Sequence, residues 1–232
     1  MKASDWRLAR RKRGWSQQKA AAELGVSQSY LSMLETGKRP LPTDLARRMV
    51  LVYGLPSTSL PPSDGRWTPK KVDAQALAEA LAALGYPGFA YLRQRRSKKN
   101  PAEVLLTALA QDDLEARLFE ALPWLLLKYW EMDASWLVER AKLHDLQNRL
   151  GFVVTLARKA APRVTGVNAR RDAALKNLES ALRRSLLARE ETLCHARLSE
   201  TERTWLKKHR PREAKQWNLL TDWRPGALRY VA

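Results

Sequence analysis

The amino-acid sequence predicts an all-α protein, with a small N-terminal helical domain followed by a larger helical domain. Ala, Leu, Arg and Glu dominate the second part, and runs of alternating β-branched residues are few. Between the two parts, the stretch YGLPSTSLPPSDGRWTPKK holds four prolines and two glycines, which cannot continue a helix. We therefore expect domains at 1–60 and 72–232, joined by a linker at 61–71.

Positive charge is concentrated in the first part of the chain. The 232 residues carry 42 Lys and Arg against 24 Asp and Glu, a net charge of +18. Residues 1–71 alone hold 14 basic and 5 acidic side chains. This balance predicts a polyanionic partner such as nucleic acid or an anionic lipid surface. Because the sequence has no run of eighteen apolar residues and no secretory signal, we expect a cytoplasmic protein with no membrane partner.

The residues that carry enzyme chemistry do not form a recognisable set. Cys194 is the single cysteine, and the three histidines lack the spacing of a zinc site. His144 and Asp145 are adjacent, so on a helix their side chains would point roughly 100° apart. Neither a glycine-rich phosphate loop nor a Gly-X-Ser-X-Gly elbow occurs. The sequence therefore predicts a protein that is not an enzyme and needs no metal or cofactor.

Residues 16–38, SQQKAAAELGVSQSYLSMLETGK, contain two short helical patterns joined by a tight turn. Ser16 and Ser27 are predicted N-caps, and Gly25 allows the left-handed backbone that lets two helices cross steeply. The outward side of the second helix, at 27–35, carries Gln28, Ser29, Ser32 and Met33. Short polar side chains suit base edges in a major groove, whereas the flanking Arg and Lys suit phosphates.

This pattern resembles the phage-repressor-type helix-turn-helix of the XRE family over roughly residues 5–60. The resemblance rests on many spaced positions rather than on one. They are Ser16-Gln17, Ala21, Gly25-Val26-Ser27, Leu31-Ser32, Leu34-Glu35, Gly37-Lys38 and Pro40. The resemblance implies a five-helix bundle whose third helix enters the major groove of double-stranded DNA. It also implies a homodimer on a two-fold operator.

The resemblance assigns roles to individual residues as well. Arg10 and Glu35 match a structural ion pair. The residues implied to reach base edges are Gln28, Ser29, Ser32 and Met33. Those implied to contact phosphates are Gln17, Ser27, Tyr30, Lys38 and Arg39. Two positions depart from the family pattern, because Ala20 replaces a larger aliphatic residue and Trp15 stands where Leu, Thr or Met is commoner. We interpret Trp15 as filling the volume lost at Ala20.

Helical patterns continue through the second part, at about 73–84, 101–110, 112–130, 134–160, 168–191 and 199–209. Asn100 before Pro101, and Ser199 with Glu202 three residues on, are typical of helix N-termini. In the fourth of these helices an apolar stripe is predicted to face a core or a partner, formed by Trp136, Leu143, Leu150 and Ala157. Seven of the nine tryptophans lie beyond residue 65, as core anchors or interface residues.

The segment YLRQRRSKKNP carries a run of basic side chains, which are Arg93, Arg95, Arg96, Lys98 and Lys99. We interpret it as a solvated loop, because charge runs usually mark exposed surface. The alternative is a secondary basic patch that contacts phosphate or an acidic partner.

Three classes of function fit these patterns. The leading one is a sequence-specific DNA-binding transcriptional regulator, an autoregulating repressor whose second domain dimerises or senses a partner. The alternative is the antitoxin of a toxin-antitoxin pair, which would bind its operator through 1–60 and a toxin through 72–232. The third is a sequence-independent nucleic-acid scaffold, against which the neutral tip formed by Gln28, Ser29 and Met33 argues.

Overall fold

The computed structural model describes residues 3–60, 67–92, 99–164, 166, 168–195 and 198–228. Within these residues the chain is almost wholly helical, which confirms the predicted all-α fold class. The chain divides into two compact units, Met1–Arg66 and Trp67–Ala232, which we name unit 1 and unit 2. No helix in the described part is both long and apolar enough to span a bilayer.

Four α-helices and one 3-10 turn form the described part of unit 1. The α-helices are α1 (Ala3–Lys12), α2 (Gln17–Leu24), α3 (Gln28–Glu35) and α4 (Thr43–Val52). The fifth element, where the family resemblance implies a helix, is the 3-10 turn Ser57–Ser59. α2 packs against α3 and α4, and α1 packs against α3. The core that they share includes Trp6, Leu24, Leu31, Met49 and Tyr53.

Local sequence signals set the ends of α2 and α3, as predicted. Ser16 Oγ accepts a hydrogen bond from the Lys19 amide at 3.1 Å, and Ser27 Oγ accepts one from the Tyr30 amide at 3.2 Å. Gly25, directly after α2, has φ 65°, a left-handed conformation that glycine adopts without a steric cost. The turn therefore stops α2 and starts α3 within three residues.

Unit 2 contains eight α-helices and one pair of two-residue strands among its described residues. The helices are α5 (Ala74–Ala83), α6 (Pro101–Leu109), α7 (Ala116–Lys128), α8 (Ala134–Leu143), α9 (Gln147–Val164), α10 (Ala169–Arg183), α11 (Glu200–His209) and α12 (Arg212–Gln216). Two 3-10 segments lie at Pro87–Leu92 and Pro225–Ala227. The strands β1 (Glu191–Thr192) and β2 (Leu219–Leu220) pair in parallel, with Glu191 opposite Leu219.

α9 lies at the centre of unit 2. It packs against α6, α7, α8, α10 and α12. Buried apolar residues occur around its circumference, and they include Leu150, Phe152, Val153, Val154, Leu156 and Ala157. A helical stretch that is buried all round is typical of a protein interior, and residues 150–157 of α9 are all buried.

The predicted single helix at 134–160 is wrong, because the chain forms two helices there. α8 ends at Leu143, Asp145 has φ 57°, and α9 begins two residues later. A left-handed residue cannot continue a right-handed helix. The break also interrupts the predicted apolar stripe. Leu150 and Ala157 are fully buried, as a core-facing stripe requires, but Leu143 is 64% exposed.

Two other predicted helices are too long. The helix expected over 112–130 spans Ala116–Lys128, and the helix expected over 168–191 ends at Arg183. Residue 191 belongs to β1, where the Glu191 amide donates to the Asn218 carbonyl at 3.0 Å. Because the acceptor lies much later in the chain, the periodicity inside the segment does not reveal this pairing.

The predicted N-caps in unit 2 are confirmed. Asn100 Oδ1 accepts a hydrogen bond from the Ala102 amide at 2.8 Å. Ser199 and Glu202 form a capping box at the start of α11. Both signals lie within three residues of the helix end that they set, so sequence alone identifies them.

Trp217 attaches the C-terminal segment to the centre of unit 2. Its indole is fully buried, and Nε1–H donates to Thr155 Oγ1 at 2.8 Å. The Thr155 hydroxyl in turn donates to Glu179 Oε1 on α10 at 2.8 Å. Gly151 allows the approach of the indole, because a Cβ at this position would lie 2.2 Å from the Trp217 ring. One buried polar group therefore links α9, α10 and the C-terminal segment.

Replacing Gly151 with alanine should destabilise unit 2. The added methyl group would overlap the Trp217 ring, and overpacking of this kind costs about 1–3 kcal/mol. Urea titrations followed by tryptophan fluorescence measure the free energy of unfolding of the wild type and of Gly151→Ala.

Gly226→Ala is the matched control, because a Cβ at Gly226 would meet only Arg163 Nη1, at an ordinary 3.7 Å. We expect this substitution to change the free energy of unfolding by less than about 0.5 kcal/mol. Equal effects of the two substitutions would contradict the close packing of Trp217 on α9.

Candidate nucleic-acid interface

α2 and α3 form a helix-turn-helix whose geometry is fixed by buried contacts and backbone hydrogen bonds. Leu24 and Leu31 are fully buried between the helices of unit 1. The Val26 amide donates to the Ala21 carbonyl at 3.0 Å, and Arg48 Nη1 on α4 donates to the Leu24 carbonyl at 2.8 Å. These contacts hold one side of α3 against the rest of unit 1 and leave its other side in solvent.

The solvent side of α3 carries the four side chains expected to reach base edges. Gln28 and Ser29 are exposed, and Ser32 and Met33 are half-buried. Gln28 lies one turn before Ser32, and Ser29 lies one turn before Met33, so the four form a continuous strip. This α3 strip, Gln28, Ser29, Ser32 and Met33, offers an amide, two hydroxyls and a thioether, and it carries no charge.

Two exposed cations, Lys38 and Arg39, lie in the loop after α3, beyond Thr36 and Gly37. Their amides donate to the Met33 carbonyl at 2.9 and 3.3 Å, and Gly37 has φ 72°, which closes the turn onto the helix. The Arg39 guanidinium lies 5.9 Å from the centre of the Tyr30 ring, within the range of a cation–π contact. The loop therefore presents both cations close to the C-terminal end of α3.

Ser27 occupies the other end of α3, where its hydroxyl already has two neighbours. Its Oγ accepts from the Tyr30 amide and lies 3.2 Å from Ser29 Oγ. As an N-cap, Ser27 stands beside backbone amides at a helix N-terminus, which carries a partial positive charge. Its position suits an anion, while its hydroxyl contributes mainly to the cap.

Arg10 and Glu35 form a buried ion pair between α1 and the last residue of α3. Arg10 Nε donates to Glu35 Oε1 at 2.6 Å, and Arg10 Nη2 donates to Glu35 Oε2 at 2.9 Å. Arg10 Nη1 also donates to the Trp15 carbonyl at 2.7 Å. This bidentate pair orients α3 relative to α1 and to the segment between α1 and α2.

The ionisation of the pair follows from these contacts. Burial alone would raise the pKa of Glu35, but hydrogen bonds from Arg10 and Gln17 outweigh burial and leave that pKa below its ordinary value. The hydrogen bonds that Arg10 donates to Glu35 raise the pKa of Arg10. Burial also raises the pKa of Tyr53 to about 12, so its hydroxyl is neutral. At neutral pH both members of the ion pair are therefore charged.

The ion pair extends to the α3 strip through two glutamines. Gln17 Nε2 donates to Glu35 Oε2 at 3.0 Å, and Gln28 Nε2 donates to Gln17 Oε1 at 2.8 Å. The family resemblance assigned these glutamines separately, one to a phosphate and one to a base edge. Their link to each other and to Glu35 was not anticipated, because nothing in their spacing shows it. Gln28 keeps one amide hydrogen and its carbonyl oxygen for a further partner.

Trp15 contacts two cations at the junction of α1 and α2. The Arg13 guanidinium and the Lys19 ammonium each lie 5.4 Å from the centre of its ring. The Tyr53 ring lies 6.1 Å from the Trp15 ring in an edge-on arrangement. Sequence reasoning counted Arg13 and Lys19 only as part of the charge total. The signal that could have singled them out is a tryptophan within four residues of each.

The remaining residues singled out from the sequence belong to unit 2. Arg93, Arg95, Arg96 and Lys98 lie outside the described residues, and Lys99 is exposed in unit 2. Burial raises the pKa of the Cys194 thiol to about 11, so it is protonated and unreactive at neutral pH. His144 contacts the Trp67 carbonyl, whereas Asp145 pairs with Arg189. Among the described residues, no cluster of three or more His, Cys, Asp or Glu could hold a metal ion.

Comparisons with known proteins agree with this geometry for part of the chain. A helix-turn-helix family model matches residues 7–60. The rest of the chain matches no family model. No curated protein and no solved structure matches the chain.

Protonation of Glu35 should destabilise unit 1, with a sign set by its lowered pKa. Ionised Glu35 stabilises the folded state fully above its unfolded-state pKa of about 4.3. This stabilisation is lost as the pH falls through the lower pKa that Glu35 has in the folded protein. We expect hydrogen exchange of the α2 and α3 amides to accelerate as the pH falls below about 4, after correction for intrinsic rates.

Glu35→Gln should remove this pH dependence and, at pH 7, should cost about 3 kcal/mol, because it leaves the Arg10 charge buried without its counter-ion. Glu23→Gln on α2 is the matched control, since Glu23 is exposed. If both variants keep the wild-type stability at pH 7, the ion pair does not have the structural role assigned to it.

Proposed function

We propose that the protein is a sequence-specific DNA-binding transcription regulator that acts as an autoregulating repressor. The observation that carries the proposal is the α3 strip, a neutral surface with exposed cations in the loop that follows α3. The helix-turn-helix match at residues 7–60 supports DNA binding and regulation of transcription. Neutral donors and acceptors suit base edges and cations suit phosphates, so the arrangement fits a reader of double-stranded DNA.

Gln28 would make the most selective base contact. A glutamine amide can form two hydrogen bonds with the major-groove edge of adenine, and Gln17 orients the Gln28 amide before DNA arrives. Ser29 and Ser32 can donate or accept, and the Met33 thioether can contact a thymine methyl group. The strip therefore favours adenine and thymine at the base pairs that it faces.

The network behind Gln28 lowers the entropy lost on binding. Glu35 holds Gln17, and Gln17 holds Gln28, in a chain that begins at the buried Arg10 side chain. A side chain that is oriented in the unbound protein loses less rotamer freedom when it binds. We therefore assign Gln17 a second role besides its expected phosphate contact, which is to position Gln28.

The exposed cations would set the orientation and the rate of association rather than the sequence preference. Lys38 and Arg39 lie next to α3, and Trp15 holds Arg13 and Lys19 at the α1–α2 junction. Contacts to phosphates carry no sequence information, but they fix the register of a protein on the duplex. The net charge of +18 adds long-range attraction, which accelerates encounter at low salt.

The short length of α3 argues for binding as a dimer. Eight residues of α-helix span about 12 Å, which covers only about three or four base pairs of B-DNA. So few base pairs cannot distinguish one operator from a genome of competing sites. Two copies related by a two-fold axis would read half-sites about 34 Å apart. We propose that unit 2 supplies the contacts that join the copies or that receive a regulating partner.

Gln28→Ala and Lys38→Ala should affect DNA binding differently. Gln28→Ala should cost about 1–3 kcal/mol on the cognate site and little on random DNA, because it removes a base contact. Lys38→Ala should weaken binding to both DNAs about equally and reduce the salt slope by about 0.9, because it removes a phosphate contact. Titrations against the DNA upstream of the protein's own gene and a shuffled duplex of equal length, at several salt concentrations, measure both effects.

Gln75→Ala is the matched control, since Gln75 is an exposed glutamine on α5 of unit 2. We expect it to change neither affinity nor salt slope. A preference for the upstream DNA that persists as salt rises supports sequence reading and autoregulation. Equal affinity for the two duplexes, with a steep salt slope on each, would contradict the proposal.

A further inference from the structure

Unit 2 contains an open cavity of about 580 Å³ between α11 and the segment that follows β2. The capping box at Ser199 and Glu202 sets the start of α11, and β2 leads into Thr221, Asp222 and Trp223 on the facing wall. The backbone bridge between Asp113 and His195 places both of these residues at its edge. The volume lies within the range of small-molecule sites, about 300–1,000 Å³.

Two tryptophans form apolar walls of this cavity. Trp205 is 51% exposed, and its ring stacks on His209 with a centroid separation of 4.6 Å and an interplanar angle of 21°. Trp223 is half-buried and packs against Phe119 at 4.9 Å. Trp67, Trp124 and Trp217, by contrast, are buried in the core of unit 2. Exposing a large apolar ring to water is unfavourable, so the half-exposed indole of Trp205, held flat by His209, is a surface available to a ligand.

Three carboxylates line the same cavity, on Asp113, Glu202 and Asp222. Hydrogen bonds from the Ser199 amide and hydroxyl lower the pKa of Glu202, so this group is charged at neutral pH. His195 supplies the one basic side chain among the described lining residues. Among its described lining residues, acidic side chains therefore outnumber basic ones, in a chain whose net charge is +18.

Three basic residues on and just after α11 have partners other than Glu202 and Asp222. Lys207 and Arg210 pair with Glu190, at 3.3 and 2.8 Å, and neither lines the cavity. Arg203 Nε donates to the Leu198 carbonyl at 3.3 Å. Asp222 has no hydrogen-bond or ion-pair partner among the described side chains. The exposed Asp222 carboxylate is therefore accessible to a ligand.

We propose that this acidic tryptophan cavity, formed around Asp113, Glu202, Asp222, Trp205 and Trp223, binds a small organic cation with an apolar body. The aromatic faces attract a cation through their quadrupoles and accept its apolar part by burial. The carboxylates of Glu202 and Asp222 supply the opposite charge, and Thr201 and Thr221 supply hydroxyls for hydrogen bonds. An amine, amidine or quaternary ammonium compound has this chemistry. The cavity gives unit 2 a ligand-sensing role that is separate from DNA contact.

The full-length protein can be titrated with 1-naphthylmethylammonium as the probe, without DNA. The readout is the NMR signals of the indole N–H groups, with those of Trp205 and Trp223 assigned from Trp205→Phe and Trp223→Phe. We expect the probe to shift these two signals first. Its neutral and anionic analogues, 1-naphthylmethanol and 1-naphthoate, should bind at least about fivefold more weakly, because they lack the charge.

Asp222→Asn should weaken binding of the cationic probe about fivefold and leave binding of the neutral analogue unchanged. Asp222 is exposed, so this variant should keep the fold. Glu139→Gln is the matched control, because Glu139 is an exposed carboxylate on α8 that does not line the cavity. It should bind the probe as the wild type does.

Three results would overturn the inference. They are equal affinity for the cation and its neutral analogue, an unchanged affinity in Asp222→Asn, and shifts confined to other tryptophans. Because the titration contains no DNA, such a failure would leave the proposed DNA binding unaffected. Conversely, loss of sequence preference in the DNA titrations would not affect this site.

Discussion

A guanidinium and a carboxylate share the interior of unit 1, where neither would be stable without the other. Arg10 on α1 and Glu35 at the end of α3 form two hydrogen bonds, and both residues are almost completely buried. Removing one member would leave an uncompensated charge in the core, which costs far more than an exposed ion pair contributes. The pair therefore restricts how α3 can sit on α1, and the position of the α3 strip depends on it. Gln17 and Gln28 extend this restriction from the core to the solvent side of α3.

In unit 1, the exposed cations and the side chains proposed to contact bases lie on different parts of the surface. The α3 strip is neutral, while the exposed cations lie in the loop after α3 and around Trp15. A cation on the strip itself would hold phosphates at any sequence and would compete with base contacts. Cations at the edges can attract the duplex and fix its register without entering the groove. This separation is the physical reason for the proposal that the interface is sequence-selective.

Unit 2 combines a buried apolar core with a cavity at its surface that is lined by tryptophans and carboxylates. Trp217 is buried against Gly151, and its N–H is satisfied by Thr155, so the C-terminal segment is part of the core. The same segment continues past β2 to form one wall of the acidic tryptophan cavity. A ligand that bound there would contact residues directly connected to the centre of unit 2. Packed cores respond to strain as a whole, so the cavity is suitably placed for a sensing role.

The sequence by itself determined the features whose signals are local. These features include the helix caps at Ser16, Ser27, Asn100 and Ser199 and the turn at Gly25, each of which depends on groups within a few residues of one another. The all-α class and the helix-turn-helix were likewise evident from local patterns. Only the tertiary structure decided the break at Asp145, the pairing of β1 with β2, the link from Glu35 through Gln17 to Gln28, and the approach of Trp217 to Gly151. Apart from the break, these features join residues far apart in the chain, and periodicity within one segment holds no information about its distant partner. At Asp145 an amphipathic pattern continued across a residue that the packing of α8 and α9 holds in a left-handed conformation.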